Sequence, residues 1–281
     1  MDRYCLMGHP VGHSKSPWIH ARFAELTGQA LAYDARLVPL DGFAEAVRRF
    51  ADEGGRGCNV TVPFKFEAAT QFASVLTPRA ARAGAANTLL LVDGRVALAD
   101  NTDGIGLVTD LERNAGIALA GCRLLLVGAG GAAAGALGPL LEARPAELQV
   151  VNRSPAKARD LLQSHGPLAR SAGVRFEAGG LEEAGQGFDV VINATASSLG
   201  GGKVPVAPSV LRRGALAYDM MYGPAARGFL DWARGQGAHA QDGLGMLVEQ
   251  AAESFRVWRG LRPPAAQVLQ ELRARLAEPA P

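Results

Sequence analysis

The sequence predicts an α/β protein with room for two domains. Three features lead there. Short apolar strands alternate with helix-length segments over almost all of the 281 residues, the pattern of strands that helices cover. A glycine-rich turn, "VGAGGAA" at 127–133, joins a strand to a helix. Roughly the last forty residues read as purely helical, and such helices need another surface to cover.

The elements follow in order. "RYCLMG" (3–8) is a first strand. "SPWIHARFAELTG" (16–28) is a helix: Ser16 is a good N-cap, Pro17 fits the first helical position, and Ile19, Phe23 and Leu26 share a face before Gly28 stops it. "LAYDARLV" (31–38) alternates as a strand does, and Asp41 can cap a helix that Gly54-Gly55 ends. "NTLLLVDGRVALADN" (87–101) reads as two strands joined by an Asp93-Gly94 hairpin turn. "CRLLLVGAGGAAAGALGPLLEA" (122–143) is strand, turn and helix. Further strands are expected at 147–151, 174–176, 188–192 and 215–219, and local loops at Gly179–Gly187 and Gly200–Lys203. "GLGMLVEQAAESFRVW" and "AAQVLQELRARL" complete the chain as helices.

Composition narrows the function. The 29 basic and 27 acidic residues leave a net charge of +2, without a basic stripe or a block of like charge, which argues against nucleic acid as a partner. Cys5, Cys58 and Cys122 form neither a disulfide framework nor a metal-ligand spacing and read as buried free thiols. His9, His13 and His20 lack metal spacing, so no metal is expected. No segment reads as a signal peptide or a membrane span, and a cytoplasmic protein with no membrane partner is expected.

The glycine turn matches G-x-G-x-x-G/A through Gly128, Gly130 and Ala133. Gly128 permits the tight turn, Gly130 lets a pyrophosphate approach the backbone, and Ala133 keeps helix and strand close. The phosphates meet free N–H groups at a helix N-terminus. An NAD site usually places an acid after the next strand to hold the ribose hydroxyls. Here "NRSPAKAR" follows, with Arg153, Ser154, Lys157 and Arg159. A carboxylate repels a 2′-phosphate and a guanidinium binds it, so the expected cofactor is NADP.

A second group of residues raises a different question. Only four lysines occur among the 29 basic residues, and Lys65 ends the run "GCNVTVPFK". An ammonium can give up a proton, whereas a guanidinium effectively cannot. Around it, "GHPVGHSKSP", "NVTVPFK", "GAANT" and "DNTDGIG" gather hydroxyls, amides and one aspartate at predicted strand ends, a set suited to a polyhydroxylated ligand.

These stretches together resemble the shikimate dehydrogenases. The resemblance rests on Ser14 and Ser16, on Asn59 to Lys65 (N-V-T-x-P-x-K), on Asn87-Thr88, and on Asn101 to Gly106 (N-T-D-G-x-G). It continues through the GAGGA turn, the N-R-S cluster, "INAT" (192–195), "YDMMY" (218–222) and "DGLGMLVEQA" (242–251), in order over nearly the whole chain. It implies NADP-dependent, reversible oxidation of shikimate to 3-dehydroshikimate in aromatic amino-acid biosynthesis. It also implies a substrate domain over 1–104, a Rossmann-like doubly wound NADP domain over 105–238, and C-terminal helices at 239–281 that return to the first domain. Lys65 and Asp103 resemble the catalytic pair, read here as one coupled proton-transfer unit. Ser14, Ser16, Asn59, Thr61, Asn87, Tyr222 and Gln250 resemble the remaining substrate contacts. The cofactor set so implied is Gly128, Ala129, Gly130, Gly131, Ala132, Asn152, Arg153, Ser154, Lys157, Thr195, Met220 and Gly243, although Met220, Met221 and Met246 read by themselves as packing residues. The alternatives are a quinate/shikimate dehydrogenase of broader choice and a non-catalytic NADP sensor. Monomer and homodimer both stay open.

Overall fold

The structure is a computed structural model that describes residues 1–195 and 205–277. The expected loop at Gly200–Lys203 lies outside them. The chain divides into two compact units, Met1–Gly106 with Leu247–Pro281, and Leu107–Met246.

The first unit is built on a five-stranded sheet. Its strands are β1 (Asp2–Gly8), β2 (Leu31–Leu37), β3 (Gly55–Val60), β4 (Thr88–Val92) and β5 (Arg95–Asp100), in the order β2-β1-β3-β4-β5. β1, β2 and β3 are parallel; β4 runs antiparallel to both β3 and β5. Asp93 and Gly94 both take positive φ, 48° and 73°, the conformation of a tight hairpin whose twist matches the strands it joins. Helices α1 (Ser16–Thr27), α2 (Phe43–Asp52), α3 (Lys65–Gln71) and α4 (Pro78–Ala83) connect the strands, and α5 (Asp103–Thr109) leads out of the unit. Met7, Phe43, Phe50, Phe64 and Leu89 form the centre of one core cluster.

Two caps differ from expectation. Ser16 is already helical; Lys15 occupies the N-cap, and the Ser14 hydroxyl accepts the Ser16 N–H at 3.2 Å. Gly42, not Asp41, precedes the next helix, and no side chain caps it. In both places the preceding residue already turns toward the helix, so a side-chain oxygen is not required where the sequence pattern put it. Gly28 does end α1, with φ 65°.

The second unit holds a six-stranded, all-parallel sheet. In chain order it comprises β6 (Arg123–Val127), α6 (Gly131–Glu142), β7 (Glu147–Asn152), α7 (Pro155–Ala172), β8 (Arg175–Gly180), β9 (Phe188–Asn193), β10 (Leu211–Asp219), α8 (Arg227–Gly235) and β11 (His239–Asp242). The order is β11-β10-β9-β6-β7-β8. Counted from the unit's own first strand this is 3-2-1-4-5-6 read from the β8 edge, the doubly wound order whose direction reverses between β6 and β9. The strands are apolar on both faces: Leu124, Leu126, Val190 and Ile192 pack on one side, Leu125, Val127, Val191 and Ala217 on the other. Gly179 and Gly180 complete β8 instead of forming a loop, and β11 is an additional strand. Cys5 and Cys58 are buried as expected, but Cys122 is partly exposed because it lies just before β6 at the start of the sheet.

The chain then enters α9 (Leu244–Arg259) and α10 (Ala265–Ala277), which from Leu247 onward belong to the first unit. Trp258 stacks on Tyr4 with ring centroids 4.7 Å apart and donates its indole N–H to the Leu89 carbonyl at 2.9 Å. Any Cβ on Gly57 would come within 2.6 Å of that indole nitrogen, so a glycine is needed for α9 to seat here. Arg22 of α1 holds Glu271 of α10 at 2.6 Å. Among the described residues no helix is long and apolar enough to cross a membrane.

Candidate active site

The first unit gathers its polar residues where β3, β4 and β5 end. After β3 the backbone turns: the Thr61 N–H donates to the Met7 carbonyl at 2.9 Å and the Phe64 N–H to the Thr61 carbonyl at 3.0 Å. Gly8 faces this turn, and a Cβ there would meet the Thr61 methyl at 2.3 Å. Phe64 is buried and stacks on Phe43 at 5.2 Å. That anchor delivers the next residue, Lys65, as the first residue of α3; the sequence reading had left it at a strand end.

Lys65 Nζ lies 2.7 Å from Asp103 Oδ2, with the side chains 17% and 6% exposed. A pair this dry is screened little by solvent, yet the ammonium keeps an opening. Asp103 opens α5, and its N–H donates to Asn101 Oδ1 at 3.1 Å. Its other carboxylate oxygen, Oδ1, accepts from Asn87 Nδ2 at 2.8 Å. Since a carboxylate only accepts, this contact fixes which way the Asn87 amide points. Asn87 Oδ1 then accepts from the Thr102 N–H at 2.9 Å and the Thr88 hydroxyl at 2.8 Å.

The network extends away from the pair. Gln250, on α9, points inward: its Oε1 lies 3.4 Å from both Asn87 Nδ2 and the Thr102 hydroxyl. Asn59 Nδ2 donates to the Asn87 carbonyl, the Thr88 hydroxyl and the Ser254 hydroxyl at 3.0–3.1 Å, while its Oδ1 accepts from the Tyr33 phenol at 2.8 Å. Asn59 and Ser16 are both buried; Ser14 and Thr61 are half-buried. Beneath Asn59, the His20 ring stacks on Tyr33 at 4.2 Å, and burial pushes its pKa down to about 3. Thr88, Thr102 and Ser254 received no role in the sequence reading. Thr88 and Thr102 stood inside quoted motifs, and Ser254 follows Gln250 by four residues, the spacing that puts two helical side chains on one face.

An ionic clamp holds the base of this network. Arg79 donates to both oxygens of Asp100, at 2.7 and 2.5 Å, and to Glu253 at 3.0 Å. Asp100 also accepts the Thr77 hydroxyl at 2.6 Å and the Asn101 N–H at 2.8 Å. The clamp therefore fixes the residue three before Asp103.

The second unit carries the nucleotide set. Gly128 has φ 118°, and a Cβ on it would stand 3.0 Å from the Ala194 carbonyl, so both conformation and space demand glycine. Gly130 is exposed with open space where a Cβ would be, and it opens α6 without any side-chain cap. The first N–H groups of this helix therefore present an anion site. Ala129, Gly131 and Ala132 are partly exposed around the turn. Asn152 donates to the Ser154 carbonyl at 3.0 Å, and Arg153, Ser154 and Lys157 are exposed beyond β7. Arg159 instead faces Glu183 at 4.0 Å. This cradle with basic side chains beside it fits a dinucleotide that bears an extra phosphate. Thr195 follows β9. Met220 is partly buried against the core, and its carbonyl would lie 2.3 Å from any Cβ on Gly243, which is buried. Tyr222 is half-buried after β10, and burial raises its phenol pKa. Met221 and Met246 pack in the cores. Among the described residues no group of three or more His, Cys, Asp or Glu is arranged to hold a metal ion.

Comparison with known proteins agrees with this division. Residues 6–89 match the model of the shikimate dehydrogenase substrate binding domain, 110–200 that of shikimate / quinate 5-dehydrogenase, and 243–273 that of the shikimate 5′-dehydrogenase C-terminal domain. The shikimate dehydrogenase (NADP(+)) of Paracidovorax citrulli is 66% identical over 276 residues, 98% of either chain. The crystal structure of an Ael1 enzyme from Pseudomonas putida has a TM-score of 0.87 at 46% identity, covering 97% of this chain and 98% of that one. Shikimate 5-dehydrogenase of Thermus thermophilus, solved in complex with NADP(H) and shikimate, has a TM-score of 0.83 at 33% identity, covering 98% of this chain and 99% of that one. This chain belongs to the shikimate dehydrogenase family.

Proposed function

We propose that the chain catalyses the NADP-dependent, reversible interconversion of shikimate and 3-dehydroshikimate, a step of aromatic amino-acid biosynthesis. The observation that carries the reading is the Lys65–Asp103 pair at 2.7 Å, set among amides and hydroxyls. Oxidising a secondary alcohol removes a hydride and a proton. The bound cofactor supplies the hydride acceptor. The proton is the protein's task, and Lys65 Nζ with Asp103 is the group placed to take it or return it. Asn87 and the clamp at Asp100 hold the carboxylate still, so the ammonium is aimed before substrate arrives. Ser14, Ser16, Asn59, Thr61, Asn87, Gln250 and Tyr222 form the proposed substrate set; Asn59 and Asn87 spend most of their donors within the protein and act chiefly by holding the others. Gly128 to Ala132 would hold the pyrophosphate, Asn152, Arg153, Ser154 and Lys157 the 2′-phosphate side, and Thr195, Met220 and Gly243 the nicotinamide side.

The proposed domain roles follow: substrate at the first unit, NADP at the second. Cytoplasmic location is part of the same proposal, in keeping with three free cysteines. Initial rates of NADPH formation from shikimate plus NADP⁺, beside NAD⁺ and beside quinate, test it. Turnover with shikimate and NADP⁺ is expected. Turnover of quinate at a comparable rate would replace the reading with a broader quinate/shikimate dehydrogenase, and NADPH binding without turnover of either would leave a non-catalytic sensor.

A further inference from the structure

The sheet order of the second unit separates two sides of a dinucleotide. Direction reverses between β6 and β9, and a bound dinucleotide lies across that point. Arg153 and Ser154 follow β7 on one side. Asn193, Thr195 and Asp219 end β9 and β10 on the other, the nicotinamide side.

Three side chains there form a directed chain. Asp219 is fully buried. Its Oδ1 accepts the Met221 N–H at 2.8 Å, and its Oδ2 accepts from Asn193 Nδ2 at 3.0 Å. An ionised carboxylate has no hydrogen to give, so the Asn193 amide must turn its NH₂ toward Asp219. Its Oδ1 consequently faces Thr195, where it accepts the N–H at 3.2 Å and the hydroxyl at 2.7 Å. The one hydroxyl hydrogen of Thr195 is thereby committed. Whatever else meets that oxygen must be a donor. Thr195 stands beside the glycine turn: its methyl would be 3.2 Å from a Cβ on Gly128.

We infer that Asp219, acting through Asn193, is a positioning residue that sets Thr195 as an acceptor, and that this polarity selects a hydroxyl donor of the nicotinamide ribose over a phosphate. A phosphate oxygen has no hydrogen at neutral pH and meets a repulsive lone pair here, whereas a ribose hydroxyl completes the chain. The arrangement thus helps set which end of the dinucleotide lies on this side. This inference rests on the NADP reading above.

Asp219→Asn keeps the shape and removes the constraint. With its carbonyl still on the Met221 N–H, the new NH₂ opposes the Asn193 NH₂; the Asn193 amide flips, and Thr195 loses its acceptor. Fluorescence titration of the full chain with NADPH and, separately, with 2′,5′-ADP reads the two halves apart. Asp219→Asn and Thr195→Val are expected to weaken NADPH by about tenfold and to leave 2′,5′-ADP within about twofold, while Thr195→Ser retains NADPH affinity. Wild-type NADPH affinity in Thr195→Val, or equal losses for both ligands in either variant, overturns the inference. Failure of the unsubstituted protein to bind 2′,5′-ADP overturns the cofactor reading itself.

Discussion

Arg79→Met is expected to cost about 3–5 kcal/mol of stability at pH 7, because it leaves two buried carboxylates without their cation. Asp100 and Glu253 are 2% and 3% exposed, and Arg79 bridges them. Asp100 keeps the Thr77 hydroxyl and the Asn101 N–H, and Glu253 keeps Arg256 at 2.7 Å, so the loss is large but not the full burial of two ions. The charge argument also fixes a pH signature. Burial alone would raise the Glu253 pKa, but the hydrogen bonds of Arg256 and Arg79 outweigh it and hold it at about 2. A carboxyl depressed on folding adds stability above its unfolded pKa, near 4.5, and loses it as pH falls toward 2. That contribution is on the order of 2–3 kcal/mol. In the variant, burial without Arg79 pushes the same group up, so acid relieves the penalty instead. The stability gap between the two proteins must therefore narrow as pH falls from 7 to 4. Urea unfolding followed by tryptophan fluorescence measures it, since Trp18 and Trp258 both lie in the first unit. A gap below about 1 kcal/mol, or one independent of pH, would refute the reasoning.

The other expectations are more compact. Burial holds the His20 pKa at about 3, so the unfolded chain gains a proton near pH 6.5 that the folded one refuses until about 3. Stability should fall across that window, and His20→Leu should flatten the slope by up to about 1.4 kcal/mol per pH unit; parallel slopes in the two proteins would contradict this. Arg153→Ala should reduce the NADPH-over-NADH preference in kcat/KM by about tenfold to a hundredfold, the worth of one charge-assisted hydrogen bond; an unchanged ratio would move the 2′-phosphate elsewhere. A Cβ at Gly245 would fall 1.9 Å from the buried Asp110 carboxylate, so Gly245→Ala should lower thermal stability by about 1–3 kcal/mol or more.

Much of the fold was legible from local chemistry. The Asp93-Gly94 turn, the glycine turn after β6 and the Gly28 stop all need backbone conformations that few residues adopt, so their signals are local and strong. β11 was not legible, because "HAQD" has no apolar alternation and exists as a strand through its pairing with Leu216–Asp219. Caps at Ser16 and Asp41 failed for a related reason: a suitable side chain does not fix the backbone ahead of it. In the site, Lys65 and Asp103 stood out by lysine scarcity and by motif, although 38 residues separate them. Ser254 and Arg79 carried no comparable signal, since a serine in a helix and an arginine after a proline look ordinary until the fold brings them to Asn59 and Asp100. Asp219 stood inside the quoted "YDMMY", but only the orientation of the Asn193 amide gives it a task.

The account turns on whether the Lys65 ammonium moves the proton of the reaction. The most direct measurement is kcat for shikimate oxidation by Lys65→Arg at saturating shikimate and NADP⁺, with KM determined alongside. A guanidinium keeps the charge beside Asp103 but cannot release the hydrogen. The predicted result is a kcat lower by roughly 10²–10⁴ with a smaller change in KM; turnover close to that of the unsubstituted enzyme would contradict it.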